Sequence, residues 1–83
     1  MYEILKKRQP VGGRQISYYL LVEEGRERPL QYGVRIEAEG GDFDEVFAVT
    51  TSGQRMNDLL ELLIRNAVTP VSLGDIIEDW LGC

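Results

Sequence analysis

The 83-residue sequence predicts a two-layer α+β domain: a four-stranded antiparallel meander with two C-terminal helices packed on one face. Three observations predict it. Leu30, Tyr32, Val34, Ile36 and Ala38 alternate with Gln31, Gly33, Arg35 and Glu37, the period-2 pattern of a half-buried strand. Gly40-Gly41 then separates this run from another apolar one, and glycines supply the positive φ of a tight hairpin. Beyond Thr51 the apolar spacing changes from 2 to 3.6 residues, the mark of helices with one buried face.

The elements follow in order. Tyr2-Glu3-Ile4-Leu5-Lys6 reads as a first strand, ended by Pro10 and Gly12-Gly13. Arg14 to Glu24 is the second, with Ile16, Tyr18, Leu20 and Val22 on one face. Glu24 to Pro29 is charged and punctuated by Gly and Pro, as a loop is. Leu30 to Ala38 is the third strand and Asp42 to Thr50 the fourth.

A two-residue Gly40-Gly41 turn pairs Glu39 with Asp42, and so sets Ala38 against Phe43, Val34 against Phe47 and Tyr32 against Val49. Glu45 then falls opposite Ile36. This misfit reads either as a bulge or sheet edge that lets the carboxylate reach water, or as a buried functional carboxylate. In the same register the face away from the helices collects Tyr19, Leu21, Val46 and Ala48, together with Arg35.

Thr51 with Gln54 resembles a capping box for the first helix, whose face carries Met56, Leu59, Leu60, Leu63 and Ala67, broadened by Leu62 and Ile64. Asn66 to Pro70 breaks it. Ser72 with Asp75 resembles a second cap, before a face of Leu73, Ile76, Ile77, Trp80 and Leu81. Asp75, Glu78 and Asp79 lie opposite, and Gly82 ends the helix. The expected core is Tyr18, Leu20, Tyr32, Val34, Ile36, Phe47, Leu60, Leu63, Ile77 and Trp80, with Trp80 pinning the last helix to the sheet.

Length allows one domain, residues 1–83, with a sheet part to residue 50 and a helical hairpin over 51–82. There is no His, and the single Cys83 excludes an intrachain disulfide and a multi-thiolate zinc site; Cys83 reads as a free thiol or as one half of an intermolecular disulfide. Met1 to Pro10 lacks the form of a signal peptide, and no apolar run approaches the ~20 residues that span a bilayer. The expectation is a cytoplasmic protein with no membrane contact. Net charge is −5 and divides unevenly: up to Arg35 there are seven basic and four acidic residues, beyond it two basic and ten acidic. Such a bipolar chain reads as ordinary solubility or as an acidic surface for a basic partner.

Most chemistries are excluded. Without His, Ser17, Ser52, Ser72 and the threonines have no imidazole base, and no Ser-x-x-Lys pair occurs. The glycines match neither the P-loop nor the dinucleotide fingerprint. Asp42-Phe43-Asp44-Glu45 lacks the length and spacing of an EF-hand loop. A helix-turn-helix reading fails because Asp75, Glu78 and Asp79 would be repelled by phosphates, so no direct nucleic-acid binding is expected. A domain this small rarely encloses a pocket of several hundred Å3. No catalytic residues, no cofactor and no metal are expected, and the chain is not expected to be an enzyme.

The string Val68-Thr69-Pro70-Val71-Ser72-Leu73-Gly74-Asp75-Ile76-Ile77-Glu78-Asp79-Trp80-Leu81, after Leu59-Leu60-Glu61-Leu62-Leu63, resembles the C-terminal half of a family of short bacterial proteins known only as a domain of unknown function. Tyr32-Gly33-Val34 is similar too. The resemblance covers Tyr18 to Leu81 and has no counterpart for Met1 to Gly13. It implies a short cytoplasmic protein of phage-rich, low-GC bacteria and brings no catalytic residues with it.

What remains is a protein-interaction module, a small regulator or adaptor, with a protein partner or a second copy as homodimer. The candidate partner-binding residues are Tyr19, Leu21, Arg35, Val46 and Ala48 on the uncovered sheet face, and Asp75, Glu78 and Asp79 on the last helix. The alternative is a phage or mobile-element inhibitor of the anti-CRISPR type, whose acidic surface blocks a basic nucleic-acid channel.

Overall fold

The structure, a computed structural model, describes residues 1–27 and 29–82. Its elements are β1 (Tyr2–Val11), β2 (Arg14–Glu23), β3 (Gln31–Ala38), β4 (Phe43–Thr50), α1 (Gly53–Arg65) and α2 (Pro70–Leu81). The strands form one antiparallel sheet in the order β1-β2-β3-β4, and both helices contact it, as the α+β reading predicts. Glu24 to Glu27 lie outside the strands, as the charged loop predicts, while Arg28 and Cys83 lie outside the described residues.

β1 is twice as long as its apolar start suggests, running ten residues through Pro10 to Val11. Pro is tolerated there because β1 is an edge strand and needs no N–H on its open side. A register shift between Leu5 and Lys7 keeps both halves in phase: Tyr2 and Ile4 share a face with Val22 and Leu20, and Lys7 and Gln9 share it with Tyr18 and Ile16. The hairpin to β2 turns on Gly12 and Gly13, with φ of 59° and 85°, and closes on the Val11–Arg14 pair.

The second hairpin departs from the expected register. Ala38 donates its N–H to the Asp42 carbonyl at 2.7 Å, so the loop is Glu39-Gly40-Gly41, three residues and not two. That single residue slides β4 by one and turns its side chains over. Phe43 stands opposite Glu37, Asp44 opposite Ile36, Glu45 opposite Arg35 and Val46 opposite Val34. The Glu45 misfit disappears, because its carboxylate now meets a guanidinium. Val46 moves to the helix side and packs against the core, while Phe47, expected inside, is 43 % exposed.

Beyond Val46 the register shifts again, and Ala48 takes a positive φ of 53°. The displaced strand crosses close to Gly33. A Cβ there would meet the Val46 carbonyl oxygen inside contact distance and the Phe47 Cα at 3.1 Å, so only glycine fits.

The caps differ from those expected, by one residue for α1 and by three for α2. For α1 the cap is Ser52, whose Oγ accepts from the Arg55 N–H at 3.2 Å, not Thr51; Gln54 reaches forward to Asp58 instead of back. Its C-terminus is a Schellman motif: Val68 N–H bonds the Leu63 carbonyl and Ala67 N–H the Ile64 carbonyl, with Ala67 at φ 51°. Ala67 therefore lies exposed past the helix end, not on its apolar face. α2 starts earlier than expected, at Pro70, with Thr69 before it; Ser72 sits inside the helix. Proline at the first helical position costs nothing, since that N–H has no partner anyway.

The core lies between the sheet and the helices: Ile16, Tyr18, Val34, Ile36 and Ala38 below, Met56, Leu59, Leu60, Leu63, Leu73 and Ile77 above. Leu20, Tyr32 and Trp80 pack against it from half-buried positions. Trp80 also stacks under the Arg55 guanidinium at 4.6 Å, which ties α2 to α1 as well as to the sheet.

Candidate interaction surfaces

The helices make their main contacts with β2, β3 and β4, not with β1. Tyr2, Ile4 and Leu5 are 50, 40 and 47 % exposed. β1 has one neighbour, β2, so its other side presents unpaired backbone N–H and C=O groups. Lys6, Lys7 and Arg8 follow, all exposed. An open strand edge flanked by exposed apolar side chains is a surface to which another strand can add.

The second half of β1 is anchored. The Gln9 side-chain amide donates to the Ile64 carbonyl at 2.9 Å and to the Tyr18 hydroxyl at 3.2 Å. Tyr18, with no exposed surface, donates in turn to the Val68 carbonyl at 2.9 Å. Burial pushes the Tyr18 pKa up, against a smaller opposing effect of the Gln9 hydrogen bond. Arg8 crosses to the other face and donates to Ser17 Oγ at 3.0 Å. Edge strand, sheet centre and helix end thus form one bonded unit, from which Tyr2 to Leu5 extend.

The sheet face away from the helices is polar at its centre. Arg35 donates to Glu45 at 3.0 Å and to Glu37 at 3.2 Å, and its guanidinium lies 4.0 Å from the Phe43 ring centroid. Burial alone would lower the Arg35 pKa; the hydrogen bonds to Glu45 and Glu37 outweigh it and the net direction is upward. Tyr19 is half-buried opposite Arg35, and Leu21, opposite Gly33, is only 3 % exposed. The apolar patch expected here is therefore not assembled. Tyr19, Leu21 and Arg35 do share the face, but Leu21 is already covered, Val46 faces the helices and Ala48 sits in the irregular part of β4. Asp75, Glu78 and Asp79 are exposed on α2, in the other layer.

At one end of the sheet the two hairpin tips meet the α1–α2 connection around an open groove of about 590 Å3. Val11, Ile16, Ala38, Phe43, Pro70 and Val71 supply its apolar lining. Arg14 closes one side, donating to the Glu39 carbonyl and to Asp42 Oδ2 at 3.0 Å, and so staples one hairpin to the other. Among the described residues no three His, Cys, Asp or Glu side chains converge on a metal-sized site.

Strand periodicity alone does not mark the first half of β1 as exposed, because Tyr2 and Ile4 alternate like buried strand residues. A different signal was present: three successive cations and a proline within one strand mark an open edge.

No helix among the described residues is long and apolar enough to cross a membrane. No curated protein and no solved structure matches the chain. A family match extends from residue 2 to residue 83, so it includes β1, for which the resemblance seen in the sequence had no counterpart. The chain belongs to this family, described as Family of unknown function (DUF6514).

Proposed function

We propose that the protein is a non-enzymatic interaction module of the bacterial cytoplasm that binds a partner protein by accepting a strand at its β1 edge. The observation that carries this reading is the edge strand β1, paired on one side only, with Tyr2, Ile4 and Leu5 exposed beside its free backbone groups. Main-chain hydrogen bonds would supply affinity, and the alternating side chains specificity. The fold can spare this surface, since Tyr2, Ile4 and Leu5 lie outside the core cluster.

Capture from a lysate of the source organism, with the wild type beside an Ile4→Lys/Leu5→Lys variant, tests the reading. A protein held by the wild type at high salt and lost by the folded variant supports it, because apolar and main-chain contacts are little screened. Equal capture by both refutes it.

One observation favours a second reading, a phage or mobile-element inhibitor. α2 contains no basic residue, and Asp75 and Glu78 are exposed along it beside Asp79. Such a face would meet a basic nucleic-acid channel, and its binding would weaken steeply with salt.

A further inference from the structure

The geometry points to a second copy of this chain as an occupant of the β1 edge, in a head-to-tail arrangement where β1 of one molecule adds to β4 of the next. This rests on the strand-accepting reading of β1 and names the strand it accepts.

Direction comes first. Every neighbouring pair in the four-stranded meander is antiparallel, so its two edge strands, β1 and β4, run opposite ways. A second molecule displaced along the sheet in the same orientation therefore lays its β1 antiparallel to the first molecule's β4. Both helix layers then stay on one side, and the sheet continues without a change of pairing type.

Charge sets the register. Exposed Lys7 and Arg8 lie on the β1 edge, and exposed Asp42, Phe43 and Asp44 lie at the start of β4. Lys7, partnered by Tyr18, points to the helix side, as does Asp44, partnered by Ile36. Setting Lys7 against Asp44 brings Arg8 against Phe43 on the opposite face, where Arg8 shares a side with Ser17 and Phe43 with Glu37. Each cation then meets an anion or an aromatic ring, the favourable cross-strand combinations. Phe43 is 53 % exposed, so its outer side is open to such a contact.

Like-edge pairings centred on the charged stretches are disfavoured. Pairing β1 with β1 over this stretch sets Lys6, Lys7 and Arg8 against the same residues of the other copy. Pairing β4 with β4 does so for Asp42 and Asp44. Like charges directly opposite one another destabilise a sheet. The acidic start of β4 is thus the complement of the basic stretch Lys6 to Arg8, whereas a β1–β1 pairing centred on Leu5 would set Glu3 against Lys7 and would be untouched by Asp44→Lys. A head-to-tail contact of this type repeats, closing as a ring or continuing as a fibre.

Sedimentation of the purified chain, from micromolar to millimolar concentration and at low and high salt, tests the inference without any other protein present. The expected wild type gains mass with concentration, less so at high salt. Lys7→Glu and Asp44→Lys should each weaken assembly by at least about tenfold, since each sets like charges face to face. The double variant Lys7→Glu/Asp44→Lys, or an equimolar mixture of the two single ones, should restore it. Both side chains are exposed, and thermal melts establish that each variant is folded. A wild type that stays monomeric at millimolar concentration overturns self-pairing and leaves capture of a different protein by β1 standing. Assembly indifferent to either single reversal, or not restored by the double, overturns it as well.

Discussion

Tyr18 ties the centre of the sheet to the α1–α2 connection. Its ring is buried in the core cluster, and its hydroxyl donates to the Val68 carbonyl while accepting from Gln9. Tyr18→Phe keeps the ring and strands both partners, at a cost of about 1–2 kcal/mol, read by chemical denaturation. The same hydroxyl gives stability a pH dependence of known sign. Its folded pKa is raised by burial above the ordinary 10.0, so on alkalinisation the unfolded chain loses this proton first. Tyr18's contribution is therefore complete below pH 10 and declines as pH rises above it. The phenylalanine variant should lack that part of the alkaline slope. Ala67 offers a test in the opposite direction. At φ 51° it occupies the left-handed position that ends α1, where glycine fits without a Cβ penalty. Ala67→Gly should raise stability by about 0.5–1 kcal/mol, the relief of strain exceeding the entropy that glycine adds to the unfolded chain. An unchanged or lower melting temperature would contradict it.

At the scale of elements, periodicity made the strands and helices legible, and local chemistry set their limits. The alternation put Val34, Ile36 and Ala38 inside, and the face Met56, Leu59, Leu60, Leu63 is buried, whereas Leu30, at the head of the predicted strand, precedes β3 and is exposed. Turn length was not legible, because two glycines serve a two-residue loop and a three-residue loop equally well. The choice between them set which way Phe43 to Val46 face, before the register shifts again. Glu45 was the available clue: opposite Ile36 it has no partner, and opposite Arg35 it has one at 3.0 Å. Cross-strand charge pairing identifies the register where the glycines do not. The α1 cap is a similar near miss, since Thr51 and Ser52 are adjacent hydroxyls. Only Ser52 takes the Arg55 N–H, so Ser52→Ala should cost about 1 kcal/mol and Thr51→Ala far less. Equal effects of the two in thermal melts would mean that the cap is shared.

Across the whole molecule, charge follows the order of the chain: basic residues gather on β1 and in the β1–β2 hairpin, and acidic residues on the β3–β4 turn and α2. An antiparallel meander converts that order into position, because its first and last strands become opposite edges of the sheet. The exposed carboxylates of α2 lie in the helix layer, apart from the β1 backbone edge, and this separation distinguishes the two ways in which the protein could hold a partner. Reversing Asp75 and Glu78 to Lys leaves the core cluster untouched, as neither belongs to it. The melting temperature should change little, since surface substitutions away from special features usually stay within about 0.5 kcal/mol. A partner bound through β1 should be captured by Asp75→Lys/Glu78→Lys as well as by the wild type, and at the same rate. An inhibitor that meets a basic channel with α2 should instead associate far more slowly after the reversal, and most visibly at low salt, where attraction between unlike surfaces speeds encounter. Association rates of the two proteins with one captured partner, measured at low and high salt, therefore separate the readings: equal rates at both salts favour the strand edge, and a low-salt rate lost on reversal favours the acidic helix.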